Sequence, residues 1–267
     1  MLGSLFAWAT HGWLPFEYEK VLSRSILIFA ALGLVPLWRL LGLTPAGIGL
    51  DGFSSREWLG AFGLGLLLIG PVVLFFWVVE YRVLIPDAQF ARTNLFAVMA
   101  VGVVSSILVA LFEETLFRGV LYTALDRRWG NVGAVLVSSF AYAIVHFIEV
   151  DPASVTVSWH AGFVYLFASL NGLAEPSSYW DSFVSLFLLG VFLCYVRNRS
   201  SLWWCIGLHA AWVFAIRIQS AITDRDIENP FLFAVGDYDN FTGHLVSVWL
   251  LFLLLVLNLR ERIRESR

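Results

Sequence analysis

The chain has 267 residues, of which 59% are hydrophobic and 14% charged, and a net charge of −3 at pH 7. An ordinary soluble domain is about 45–50% apolar and about 25% charged, so the composition excludes that class and describes a polytopic membrane protein. With no basic cluster before the last eight residues, the charge pattern also argues against a nucleic-acid partner.

From the N-terminus, the first sixteen residues carry Phe6, Trp8, Trp13 and Phe16 and read as interfacial. They lack the basic region and small-residue cleavage site of a removed signal peptide. A membrane crossing needs about 20 mainly apolar residues. Runs of this kind cover roughly residues 25–43, 58–79, 95–121, 132–148, 183–196, 202–221 and 244–259, which predicts seven spans. The shorter stretch 159–173, with His160 and Asn171, reads as an eighth span, a re-entrant piece or an interfacial helix. Polar segments at 149–159 and 223–243 are rich in turn-forming residues and read as loops.

No internal repeat or long linker divides the chain. Residues 1–267 read as one integral membrane domain of the all-α class, a transmembrane helical bundle of seven or eight spans. Arginines near span ends stay on the cytoplasmic side. The tail with Arg260, Arg262, Arg264 and Arg267 therefore assigns the C-terminus to the cytoplasm, and the expected location is a bacterial inner membrane. Cys194 and Cys205 fall in or beside apolar segments without zinc-ligand spacing and read as buried free thiols.

Within the third predicted span stands Glu113-Glu114-Thr115-Leu116-Phe117-Arg118. Ionised groups at bilayer depth cost several kcal/mol unless paired or hydrated, so such a cluster marks a functional site. Residues four apart share a helix face, which pairs Glu114 with Arg118. Glu113 points to an adjacent face and is available to exchange a proton with another helix. Two later apolar segments each carry one histidine, His146 and His209. With Glu113 they suit peptide-bond hydrolysis: Glu113 and His146 deprotonate a water, and His209 donates to the oxyanion or joins His146 in holding a metal. Two histidines and a carboxylate satisfy the ligand set of catalytic zinc, so metal-bound and metal-free versions both stand. The competing readings are a structural polar clamp between helices and a proton relay, the latter without the repeat expected of a transporter.

In this order the residues resemble the CPBP intramembrane proteases, which include the type II CAAX prenyl endopeptidases. That family carries Glu-Glu-x-x-x-Arg, then Phe-x-x-x-His, then His-x-x-x-Asn on successive helices. Here the first motif is complete as Glu113, Glu114 and Arg118, the second has Tyr142 before His146, and the third has Val213 after His209. The resemblance covers roughly residues 95–259. It implies an endopeptidase in the lipid bilayer acting on a membrane-associated protein or peptide. Glu113, His146 and His209 are then catalytic, Glu114 and Arg118 supporting, and zinc a candidate cofactor at His146 and His209. Loss of one oxyanion donor typically costs about 10²–10³ in rate, so Val213 also fits a catalytically impaired member acting as a membrane interaction or immunity protein.

Overall fold

The computed structural model describes residues 2–14, 16–86, 90, 94–147, 157–164, 167, 173, 179–236 and 238–265. The loop reading at 149–156 and seven of the fifteen residues of the proposed eighth span, 165, 166 and 168–172, lie outside these residues. The apolar runs form helices because, in hydrocarbon, a segment must satisfy its own backbone N–H and C=O groups. In chain order these are α1 (Leu2–Thr10), α2 (Tyr18–Leu40), the single turn α3 (Pro45–Ile48), α4 (Ser55–Val78) and α5 (Leu95–Glu114). A π-helical segment, Thr115–Leu121, leads into α6 (Tyr122–Val145), followed by α7 (Trp180–Arg199), α8 (Leu202–Ile222) and α9 (His244–Glu265). Side-chain caps start two of them: Ser54 accepts from the N–H of Glu57, and Asn94 from the N–H of Ala97.

Among the described residues, six helical runs are long and apolar enough to cross a membrane, against the seven or eight expected. The difference lies in Leu95–Val145, which runs as one stretch of 51 residues. At about 1.5 Å per residue such a rod would far exceed a hydrocarbon core of about 30 Å. Its backbone leaves the helical region at Gly130, with φ 70° and ψ 174°. Outward-facing side chains remain apolar, as in Leu67 at 70%, Val132 at 74% and Phe96 at 82% exposure. An integral membrane protein needs such a surface, since lipid is the solvent there.

The chain forms two compact units. One comprises Met1–Thr44 and Ile144–Ser178, the other Pro45–Ala143 and Tyr179–Arg267. The first is organised around Ala7, Tyr18, Val21, Leu22 and Ala161, with the Tyr18 hydroxyl donating to the Ser158 carbonyl at 3.1 Å.

In the second unit, α8 is the central helix and packs on both α4 and α5. Small residues set its distance from α4. A Cβ on Gly207 would stand 2.8 Å from both Ala61 Cβ and the Trp58 carbonyl oxygen, and one on Gly65 would stand 2.6 Å from Ala211 Cβ. Where lipid tails are as apolar as the side chains, such close backbone approach drives helix association. Trp212 locks the contact by donating its indole N–H to the Gly65 carbonyl at 2.8 Å and stacking on Phe192. Both cysteines are buried free thiols.

The polar stretch after α8 is more ordered than a plain loop. Residues Thr223–Arg225 form β2, which pairs antiparallel with β1 (Arg82–Leu84) in the register Arg82↔Arg225, Val83↔Asp224 and Leu84↔Thr223. Three residues per strand carry too little hydrophobic alternation to register in the sequence.

Candidate active site

Glu113 and Glu114 are the last two residues of α5, and Arg118 sits one turn on in the π segment. A π turn closes i→i+5 bonds, and such turns recur at functional sites. Glu114 is fully buried and Arg118 is 1% exposed. The ion pair expected from their spacing is present, with Arg118 Nη1 donating to Glu114 Oε1 at 2.8 Å.

The same carboxylate oxygen holds a second group. His209 Nδ1 lies 2.8 Å from Glu114 Oε1. A carboxylate only accepts, so this bond places a proton on Nδ1. The other ring nitrogen, Nε2, then faces Glu113 Oε2 at 3.8 Å. That separation is longer than a direct hydrogen bond and is a distance at which a water or substrate atom bridges two polar groups. The His209 side chain is 5% exposed and that of Glu113 21%, so Glu113 is the more accessible of the two.

Tyr142 of α6 walls the cluster. Its ring lies under the Arg118 guanidinium, 4.2 Å from Cζ to the ring centroid, and meets the His209 ring nearly edge-on at 6.1 Å and 80°. Phe117 closes the other side, 5.3 Å from Tyr142 and T-shaped to it. The guanidinium thus gains a cation–π contact in addition to its carboxylate. Glu114 Oε2 and Arg118 Nη2 are buried and have no hydrogen-bond partner among the described residues, which raises the importance of the bonds they do share.

The structure therefore brings Glu113, Glu114, Arg118 and His209 together in the second unit. His146 follows the end of α6, half-buried, and belongs to the first unit; its place in the site rests on the sequence motif. Val213, one turn beyond His209 on α8, is half-buried and offers only hydrocarbon. The His209–Glu114 bond has no signature in sequence, because the two residues are 95 positions apart. Trp212 is 7% exposed and spent on helix packing.

Among the described residues, no group of three or more His, Cys, Asp and Glu side chains is arranged to hold a metal ion. His209 has Nδ1 engaged by Glu114, which leaves Nε2 as its one nitrogen for any other ligand.

Residues 95–215 match the family model described as type II CAAX prenyl endopeptidase Rce1-like. This chain carries an Rce1-like domain. The match begins at the start of α5 and ends within α8, so the Rce1-like segment spans the glutamate pair, Arg118, Tyr142, His146 and His209. It agrees with the family resemblance of the motifs and sets a CAAX protease-type domain within a helical membrane protein. No curated protein and no solved structure matches the chain.

Proposed function

We propose that the protein is an intramembrane endopeptidase that hydrolyses a peptide bond in a membrane-associated protein or peptide. One observation carries this reading: Arg118 holds Glu114, Glu114 holds His209, and His209 presents Nε2 to Glu113 within the Rce1-like segment. Peptide hydrolysis needs a base for water and a donor for the oxyanion, each held at a fixed angle. In this proposal Glu113, with His146, takes a proton from a water whose oxygen attacks the carbonyl carbon. The carbonyl π electrons move to oxygen, and His209, doubly protonated with Nδ1–H on Glu114, donates its Nε2–H to the oxyanion. As the intermediate collapses, the C–N bond breaks and the amine leaves with the proton held by Glu113. Glu114, itself held by Arg118, acts through His209 by supporting its imidazolium form and fixing its ring angle.

The test is cleavage of a membrane-anchored peptide by protein reconstituted in liposomes. Glu113→Gln and His209→Gln should each lower turnover by at least about 10²-fold, and Glu113→Gln should leave the melting profile in place. Elemental analysis of the purified protein is the companion measurement. One equivalent of zinc that is lost in both His146→Ala and His209→Ala would assign the two histidines as ligands, and a protein without zinc would leave water activation to Glu113 and His146.

A second reading draws on Val213, which leaves the far side of His209 without a polar group from α8. A catalytically impaired protein acting through binding, as an interaction or immunity protein, would keep its cellular activity in Glu113→Gln.

A further inference from the structure

Far along α8 from His209, two cavities meet at Ser220. One is an apolar groove of about 580 Å³ between α5 and α8, walled by Ala97, Val101, Gly102 and Ile216, with Arg217 and Ser220 also on its α8 wall. The other is a polar pocket of about 290 Å³ lined by Ser220, Thr223, Arg82, Arg225, Asp224 and Asp239. Together they fall in the range of about 300–1,000 Å³ usual for small-molecule sites. The groove lies between α5 and α8, and the polar pocket adjoins it at Ser220.

The charges of the pocket are arranged unusually. Arg82 and Arg225 stand directly opposite each other in the β1–β2 ladder, and like charges in that position repel. Arg82 is 5% exposed, and its Nε has no hydrogen-bond partner among the described residues. Its Nη2 donates to the Asn240 carbonyl at 3.0 Å, and Arg225 donates to the Asn240 side chain. Among the described residues, neither arginine has a carboxylate within ion-pair distance. Arg217 also has no ion pair among the described residues, although it stands in a membrane-spanning helix. A guanidinium buried without an anion is costly, and phosphate suits its donor fork. The two aspartates balance the arginines, so a bare anion fits less well than a headgroup carrying both charges. Asp239 keeps one oxygen on the N–H groups of Phe241 and Thr242.

We infer that this is a binding site for a zwitterionic phospholipid of the phosphatidylethanolamine type, whose phosphate bridges Arg82 and Arg225, whose ammonium faces Asp224 and Asp239, and whose acyl chain fills the α5–α8 groove. The site is separate from the Glu113–His209 cluster and does not depend on proteolysis.

The test is native mass spectrometry of the delipidated protein in detergent, titrated with phosphatidylethanolamine, phosphatidylglycerol, the matching diacylglycerol and free phosphoethanolamine. Phosphatidylethanolamine should bind at one equivalent, at least tenfold tighter than each of the others. Arg225→Gln and Ala97→Trp change exposed positions and should keep the melting profile while weakening that binding at least fivefold. Equal binding of diacylglycerol would overturn the phosphate contact, and equal binding of phosphatidylglycerol would overturn the ammonium contact. Equal binding of phosphoethanolamine, or unchanged affinity in both variants, would overturn the groove as the chain's seat.

Discussion

Glu114 Oε1 is shared by Arg118 and His209, each at 2.8 Å, in surroundings that exclude solvent from the carboxylate. Removing one member of a buried charged network leaves the other uncompensated, at a cost of about 3–5 kcal/mol. Arg118→Met should therefore lower the apparent melting temperature in detergent by roughly 10 °C. Removing both charges, as in Glu114→Met with Arg118→Met, should cost less than the sum of the single changes. A melting temperature unchanged in Arg118→Met would mean that the pair contributes nothing to the fold. Val213 makes the opposite kind of prediction. If His209 serves the oxyanion, Val213→Asn adds a donor one helical turn away and should raise turnover by about 10-fold or more, as measured by initial rates on the same peptide. A rate that stays level or falls would remove position 213 from the site. Of these contacts, the Glu114–Arg118 pair is legible from the four-residue spacing alone. The His209–Glu114 bond is not, because periodicity reports which face a residue occupies and not which distant helix that face meets.

At the level of elements, the position of His209 depends on how closely α8 approaches α4. Gly207 permits that approach, since a Cβ there would stand 2.8 Å from Ala61 Cβ and the Trp58 carbonyl. Gly207→Val should cost about 1–3 kcal/mol by overpacking and, with His209 two residues on, should lower turnover as well. Gly63→Ala is the control, for a Cβ at Gly63 meets nothing within 4 Å. Equal melting temperatures for the two variants would contradict the close packing of α4 and α8. The spans were readable because a 20-residue apolar run has few alternatives in a membrane, and α4, α5, α8 and α9 begin within a few residues of where hydropathy puts them. Two features escaped it. Hydropathy ends the third span near Leu121, whereas the helix continues as a polar extension through Asp126, Arg127 and Arg128 before Gly130 breaks it. The π segment Thr115–Leu121 is also silent, since no spacing of side chains marks the change from i→i+4 to i→i+5 backbone bonds.

For the molecule as a whole, the basic end of α9, with Arg260, Arg262 and Arg264, argues for a C-terminus in the cytoplasm. A C-terminal fusion to a fluorescent protein that matures only in the cytoplasm should be bright, and a fusion to a phosphatase active only outside should be silent. The reverse pattern would invert the topology. Composition and hydropathy suffice for the statement that this is a helical membrane protein, and the ordered motifs suffice for the Rce1-like domain. What the protein does with that domain is decided by a direct assay of the reconstituted chain on a membrane-anchored peptide, comparing the native sequence with Glu113→Gln. The account predicts cleavage at one peptide bond by the native protein and a loss of at least about 10²-fold in the variant. Equal cleavage by the two proteins would contradict it.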